Sequence, residues 1–269
     1  MSAGPLLSVE ISAGYRARPS VLRGVMFDIE PGEIVGLAGQ SGSGKSTMAL
    51  ALMRLLHLKG GVVRGRIQFG GRDLMAATER QMQSIRGREM ALVLQNPVSS
   101  LNPALRISAQ LSEAWEAHNH ASRDRRESYI LETLAAVSLN ADRQFLRRYP
   151  AELSVGQAQR ILIAMAILHR PALLIADEAT SALDALTQSE ILALFSRLSR
   201  ELSMAILYIS HDLLSIASLC HRAAILHAGE IVEFEPVERI FREPAHPYTR
   251  RLVDAIPASP PGQRHPAFA

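Results

Sequence analysis

A glycine-rich segment that ends in a lysine constrains this chain more than any other feature. Residues 39–47 read GQSGSGKST and satisfy the spacing G-x-x-x-x-G-K-[ST]. A short apolar stretch at 33–38 precedes the segment, and a stretch rich in Ala, Leu and Met follows at 45–58. We therefore predict a strand, a loop and a helix in that order, which is the context in which such a loop cradles phosphate.

The physical reason is that glycine lets the backbone bend until successive N–H groups point inward, toward an anion. The following helix would direct its positive N-terminal end at the same phosphates. Lys45, one of only two lysines in the chain, could reach the β- and γ-phosphates, and Ser46 could ligate Mg²⁺. The alternative is a flexible Gly/Ser loop, but a chance match has odds of about one in a hundred. The residues assigned to the phosphates are Gly39, Gln40, Ser41, Gly42, Ser43, Gly44, Lys45, Ser46 and Thr47.

A second motif is an apolar run at 173–176 that ends in two carboxylates, Asp177 and Glu178. A strand there would deliver both to its C-terminal end, where open α/β sheets bind ligands. Asp177 could hold Mg²⁺ through a water, and Glu178 could point at an attacking water. Alone, the pattern also fits a buried strand that ends in an acidic turn. Downstream of a phosphate loop, we favour the functional interpretation.

A third motif, LSVGQ at 153–157, lies between these two. Ser154 and Gln157 have the spacing of a capping box, in which the serine caps a helix and the glutamine reaches back. The N-terminus of a capped helix is itself a place where anions bind. The structural and functional interpretations are therefore compatible.

Strand and helix signals alternate along the chain, which predicts an α/β fold with a largely parallel sheet. Strand signals stop between about 96 and 155, where helical stretches take over, and we interpret this region as a helical insertion. The longest uninterrupted apolar run, 161–168, is far short of the roughly 20 residues that a spanning helix needs. The N-terminus also lacks the pattern of a signal peptide. We expect that the chain does not cross a membrane.

Composition narrows the possible functions. The net charge is +3 with no dense basic run, which argues against nucleic acid as a partner. The one cysteine, Cys220, excludes an intramolecular disulfide and a thiolate-bound metal cluster within the chain.

With the three motifs in this order, the sequence resembles the ABC ATPase family over nearly its whole length, and further landmarks agree. Gln95, after an apolar run, resembles the Q-loop glutamine, and His211, after another, resembles the switch histidine. Residues Ser181 and Asp184, in SALD, resemble the D-loop. Tyr15 precedes the phosphate loop where the family stacks an aromatic ring on adenine, although surface packing explains a single tyrosine equally well.

The resemblance implies a P-loop NTPase (RecA-like) fold: a mostly parallel sheet core with an inserted α-helical subdomain and an antiparallel β subdomain. It implies four ranges along the chain: the first part of the nucleotide-binding core at 1–95, the helical signature subdomain at 96–155, the second part of the core at 156–235 and a C-terminal extension at 236–269.

The resemblance also implies an ATPase that uses ATP and Mg²⁺ and works as a pair of cassettes. The implied catalytic residues are Lys45, Gln95, Glu178 and His211. The implied Mg²⁺ ligands are Ser46, Gln95 and Asp177. The implied signature, facing the ATP of the second cassette, is Ser154, Val155, Gly156 and Gln157. Two positions depart from the family: Val155 replaces a glycine and would be strained if the site needs positive φ, and Ala179 stands where proline is frequent.

Two stretches, 95–103 and 245–257, resemble the dipeptide/oligopeptide and nickel importer ATPases; the second contains the sequence HPYT. This implies permease subunits, a solute-binding protein and a peripheral position at the cytoplasmic face of the inner membrane.

The ATPase of the phosphonate-breakdown (C-P lyase) complex carries a similar tail and remains an alternative. A P-loop kinase would have no reason for the 153–157 motif, DNA-repair members need zinc modules or long coiled coils, translation factors carry two cassettes, and exporter ATPases are usually fused to spanning helices.

Overall fold

The computed structural model describes residues 4–119 and 122–256. The strands are β1 (Leu7–Tyr15), β2 (Arg18–Ile29), β3 (Ile34–Ala38), β4 (Gly61–Phe69), β5 (Arg72–Asp73), β6 (Met90–Val93), β7 (Leu173–Asp177), β8 (Ala205–Ser210), β9 (Arg222–His227) and β10 (Glu230–Pro236). The helices are α1 (Lys45–Leu52), α2 (Glu79–Ile85), α3 (Pro97–Ser100), α4 (Ile107–Glu116), α5 (Arg123–Ala136), α6 (Arg143–Leu146), α7 (Val155–Ile167), α8 (Ala185–Leu202), α9 (Leu213–Leu219), α10 (Val237–Arg242) and α11 (Pro247–Asp254).

The chain divides into two compact units: the residues up to Met82 together with those from Ala205 onward, and Gln83–Met204. The first unit has an antiparallel sheet in the order β2-β1-β4-β5 and a mixed set of strands in the order β10-β9-β3-β8. In the mixed set, β3 is parallel to β8 and β9, and β10 is antiparallel to β9. Every residue of β3 and β8 is buried, as expected for parallel strands covered on both faces.

The strand β1 was not predicted from the sequence, although its signal is present. Leu7, Val9 and Ile11 are buried and alternate with polar residues, which is the period of a strand with one buried face. Because β1 pairs with both β2 and β4, it is the centre of the antiparallel sheet.

The second unit pairs β6 with β7 in parallel and contains the helices α3 to α8. The buried face of α7 includes Ile161, Ala164 and Ile167, at helical spacing. The helical insertion predicted after residue 96 corresponds to α3, α4, α5 and α6. Together with the mixed strands of the first unit, this confirms the predicted α/β fold class.

One local prediction was wrong, and one element was not predicted. Helix α1 ends at Leu52 instead of continuing to 58, because Arg54 adopts a positive φ of 54° and a 3₁₀ turn follows at Leu56–Lys59. The segment after Arg242, for which the sequence predicted no element, forms α11, and Pro247 supplies a favourable first residue for it. The four functional ranges stay a prediction, and residues 257–269 of the C-terminal extension lie outside the described ranges.

Candidate nucleotide site

The predicted phosphate loop connects the buried strand β3 to α1, and its glycines are required by the backbone. Gly42 and Gly44 have φ values of 81° and 112°, which L side chains rarely adopt. At Gly39, an added Cβ would lie 2.4 Å from the carbonyl oxygen of Leu226, so only glycine fits. Gly44 is the N-cap of α1 and offers no side-chain cap. The loop therefore ends at the N-terminus of a helix that anions can approach.

Lys45 is folded back over this loop. Its side chain is buried, and Nζ donates hydrogen bonds to the carbonyl oxygens of Gly39 (2.8 Å) and Gln40 (3.2 Å). Ser43 is also buried, and its hydroxyl has no hydrogen-bond partner within the described part of the chain. The Lys45 ammonium and the buried Ser43 hydroxyl thus lie beside a helix N-terminus, and together these groups suit the binding of phosphate oxygens.

Tyr15 lies at the end of β1, beside the first turn of α1. Its hydroxyl is 3.2 Å from the hydroxyl of Thr47. The tyrosine also lines a cavity of about 410 Å³, together with Arg16, Pro19 and Leu22. An aromatic ring at this place is positioned to cover a flat heterocycle next to the phosphate loop. Stacking on adenine stays a prediction.

His211 lies at the same edge of the strands as the phosphate loop. In the pairing of β3 with β8, Ala38 is opposite Ser210, so Gly39 and His211 follow directly from neighbouring strand ends. The backbone N–H of Asp212 donates to the hydroxyl of Ser210 (3.0 Å), which fixes the turn that carries His211. The first unit thus brings together the loop, Lys45, Tyr15 and an exposed histidine.

In the second unit, the parallel strands β6 and β7 carry Gln95, Asp177 and Glu178 at their carboxyl ends. Val93 is opposite Ala176, so Gln95 and Asp177 leave the same edge. The amide Nε2 of Gln95 donates to Glu178 Oε2 and to Ser181 Oγ, each at 3.3 Å. The structure thus brings Gln95, Glu178 and Ser181 within hydrogen-bond distance of one another, and their role in one catalytic site stays a prediction.

Asp177 and Glu178 have different environments although they are adjacent. Asp177 is 6% exposed, whereas Glu178 is half-buried. Glu178 has a φ of 48°, in the left-handed region that residues other than glycine seldom occupy. Such strain is frequent at functional sites, where the surrounding structure fixes the direction of a side chain. The Glu178 side chain that follows this backbone accepts the hydrogen bond from Gln95.

The predicted D-loop residues have clear structural roles in the second unit. Ser181 donates its hydroxyl hydrogen to the carbonyl oxygen of Glu178 (3.0 Å). Asp184 caps α8 by accepting hydrogen bonds from the backbone N–H of Thr187 (3.0 Å) and from its hydroxyl (2.7 Å). These bonds, the backbone one first, lower the pKa of Asp184. The carboxylate is therefore oriented by the helix it caps.

The signature motif forms a separate group at the start of α7, and the predicted capping box is confirmed. The backbone N–H of Gln157 donates to Ser154 Oγ (3.2 Å), and that of Ser154 donates to Gln157 Oε1 (3.1 Å). Val155 is the first helical residue and has no positive φ, so the strain considered for it does not arise. An added Cβ on Gly156 would lie 2.9 Å from Thr187 Cγ2, so packing within the chain already favours glycine there.

The donor set suggested for Mg²⁺ consists of a hydroxyl, an amide oxygen and a carboxylate, from Ser46, Gln95 and Asp177. Oxygen donors of these kinds suit Mg²⁺, which usually binds one or two carboxylates together with substrate phosphates. Within residues 4–119 and 122–256, no three His, Cys, Asp or Glu side chains cluster as a self-sufficient metal site. In the same ranges, no helix combines the length and apolarity needed to span a membrane.

Comparisons with known proteins agree with this geometry. The model of a family described as ABC transporter matches residues 22–181, and the model described as oligopeptide/dipeptide transporter, C-terminal region, matches residues 232–267. The oligopeptide transport ATP-binding protein OppD of Bacillus subtilis is 38% identical, over 90% of this chain and 68% of its own length. The glutathione import ATP-binding protein GsiA of Escherichia coli K12 is 39% identical over 96% of this chain, which spans only 43% of that relative.

Two solved structures have the same fold. The ATP-binding cassette MJ0796, in a dimeric post-hydrolysis state bound to ADP and Pi, has a TM-score of 0.72 at 26% identity, over 86% of this chain and 98% of its own. The protein cbiO1 of Clostridium perfringens, part of the transporter complex cbiONQ, has a TM-score of 0.76 at 23% identity, over 90% of this chain and 92% of its own.

Proposed function

Because this chain belongs to the ABC transporter family and is an ATPase of that family, we propose that it powers the import of peptides. The C-terminal match at 232–267 supports this choice, since that region is described for oligopeptide and dipeptide transporters. The names of the relatives OppD and GsiA, an oligopeptide and a glutathione import protein, point the same way. Import of nickel by a closely similar subunit is the neighbouring possibility.

The observation that carries the chemistry is the group formed by Gln95 and Glu178 beside the buried Asp177. Glu178 would orient the attacking water, and its direction is fixed by the bond from Gln95. Lys45 and the loop N–H groups would hold the β- and γ-phosphates, and His211 would hold the γ-phosphate. Ser46, Gln95 and Asp177 would hold Mg²⁺, which would neutralise charge on the phosphate oxygens.

A second cassette would complete the site. Ser154 and Gly156 lie at the capped start of α7 and would face the γ-phosphate bound by that partner, while Ser181 and Asp184 would line the contact between cassettes. The first helical turn of α7 is exposed at Ser154 and Val155, as this role requires. The partner is an identical or related ATPase subunit.

The complete importer would contain permease subunits in the inner membrane and a solute-binding protein, with this chain attached peripherally at the cytoplasmic face. The helices of the second unit, α3 to α6, follow Gln95 directly and are the segment through which nucleotide state would reach the permease. We expect no role for nucleic acid.

Transport assays in the source organism distinguish the possibilities. Deletion of the gene should abolish growth on di- or oligopeptides that supply a required amino acid, and the intact gene should restore it. The variant Lys45→Met, expressed equally, should not. Loss of nickel uptake instead would assign a metal importer, and loss of growth on phosphonates as the phosphorus source would assign the phosphonate-breakdown complex.

A further inference from the structure

The C-terminal helix α11 contacts the phosphate loop through one tyrosine. The backbone N–H of Gln40 donates a hydrogen bond to the hydroxyl oxygen of Tyr248, at 3.3 Å. Both residues lie in the first unit, and they are 208 positions apart in the chain. The HPYT sequence at residues 246–249 therefore contacts the phosphate loop through a hydrogen bond.

The hydrogen bond from Gln40 involves the same peptide group that Lys45 holds. The carbonyl oxygen of Gly39 accepts from Lys45 Nζ at 2.8 Å. This oxygen and the N–H of Gln40 belong to one planar peptide unit. Tyr248 and Lys45 therefore hold opposite ends of that unit, and rotation of the peptide would disturb both bonds together.

The position of Tyr248 is itself well determined. Its side chain is 4% exposed, and its ring stacks on that of His227 with centroids 3.8 Å apart and planes at 25°. His227 follows Leu226, whose carbonyl oxygen leaves no room for a side chain at Gly39. The tyrosine ring is thus packed where the end of β9 meets the start of the phosphate loop.

The start of α11 is anchored as well. The backbone N–H groups of Ala245 and His246 donate to the carboxylate of Glu233 on β10, at 2.9 and 3.1 Å. The ring Nδ1 of His246 caps the helix by accepting from the backbone N–H of Tyr248, at 3.1 Å. A buried carboxylate and a cap thus hold the helix turn from which the tyrosine projects.

We propose that Tyr248 is a positioning residue for nucleotide binding. It holds the peptide unit between Gly39 and Gln40 in the orientation that keeps Lys45 over the phosphate loop. The C-terminal segment 245–248 would then set the affinity of the loop for ATP without touching the nucleotide. This inference rests on the proposed ATP site.

The variant Tyr248→Phe tests the inference, because it removes the hydroxyl and keeps the ring on His227. Loss of one neutral hydrogen bond predicts a Kd for Mg-ATP, and a KM for ATP, about two- to ten-fold higher, with kcat within about two-fold of the wild type. The matched control is Tyr129→Phe, which makes the same change on a half-buried tyrosine of α5, in the second unit. It should leave Kd and KM unchanged.

Hydrogen exchange separates this inference from the proposed function, because it needs no nucleotide. In the nucleotide-free chain, the amide of Gln40 should exchange faster in Tyr248→Phe than in the wild type or in Tyr129→Phe. Equal exchange and equal Kd in all three proteins would overturn the role of Tyr248, as would equal weakening by both variants. A wild-type chain that does not bind Mg-ATP would refute the proposed site, while the exchange of Gln40 would still decide whether Tyr248 holds the loop.

Discussion

The amide nitrogen Nε2 of Gln95 lies 3.3 Å from the carboxylate oxygen Oε2 of Glu178. Glu178 also has a positive φ, so its side chain is directed both by its backbone and by this bond. A carboxylate fixed in this way is suited to orient a single water molecule for attack. Gln95 therefore connects the proposed catalytic carboxylate to the segment that opens the helical part of the second unit.

The first prediction concerns Glu178 itself. In Glu178→Gln, the amide still fits the site but cannot act as a base, so ATP should remain bound and turnover should fall by at least about 100-fold. Steady-state phosphate release and retention of radiolabelled ATP on a desalting column measure the two effects. Glu201→Gln, an exposed change on α8, serves as the control and should hydrolyse ATP normally. Turnover at the wild-type rate in Glu178→Gln contradicts the assignment.

The second prediction separates the two roles of Ser154. Aspartate is as good an N-cap as serine, so Ser154→Asp should keep the free energy of unfolding within about 0.5 kcal/mol of the wild type. The same change places a negative charge where the γ-phosphate of the partner cassette should lie, so ATP hydrolysis should be lost.

Urea denaturation and phosphate release test the Ser154→Asp variant, with Ser154→Ala beside it. The alanine variant loses the cap and should be destabilised by about 1 kcal/mol. Normal hydrolysis by Ser154→Asp would mean that this helix start does not face a phosphate.

The third prediction concerns Val155, the departure from the family signature. Its φ is already that of a helix, so glycine relieves no strain there. Val155→Gly should leave the ATPase rate within about two-fold and lower the free energy of unfolding by at most about 1 kcal/mol. A several-fold rise in the rate would show that valine limits the signature.

The fourth prediction is a dependence of stability on pH at Glu233. Burial alone would raise the pKa of Glu233, but hydrogen bonds from the Thr249 side chain and from the backbone N–H groups of Ala245 and His246 hold it below its ordinary value. A carboxylate whose pKa is lowered on folding contributes its full stabilisation at pH values above the unfolded-state pKa of about 4.3. This stabilisation is lost as the pH falls through the folded-state pKa. The variant Glu233→Gln should therefore lower the free energy of unfolding by about 1–3 kcal/mol at pH 7.

Chemical denaturation at several pH values measures this effect. The difference between the wild type and Glu233→Gln should shrink as the pH falls below about 4, because the wild-type side chain becomes neutral. Glu238→Gln, on the exposed face of α10, should stay within about 0.5 kcal/mol of the wild type throughout. A difference for Glu233→Gln that does not change with pH would contradict the prediction.

The sequence predicted most elements, because their signals are local. The strands β3 and β7 are apolar runs between loops, and the predicted bounds, 33–38 and 173–176, agree to within about two residues. The capping box at Ser154 was predictable for the same reason, since its partners are three residues apart. The end of α1 was not predictable, because the residue types around Arg54 give no signal for its positive φ.

The contact between Tyr248 and Gln40 could not be predicted, because the two residues are 208 positions apart. No element was predicted around prolines 244 and 247, although proline at the first position of a helix is favourable when a cap precedes it. The sequence His-Pro-Tyr contains that start signal, with His246 as the cap. The left-handed φ of Glu178 likewise depends on tertiary structure and not on residue type.

Titration of the purified chain and of Lys45→Met with Mg-ATP tests the central claim most directly. The wild type should bind one nucleotide per chain, and the variant should bind at least about 100-fold more weakly, because Lys45 supplies the buried cation of the phosphate loop. Equal affinity in the two proteins, or no binding by the wild type, would contradict the account.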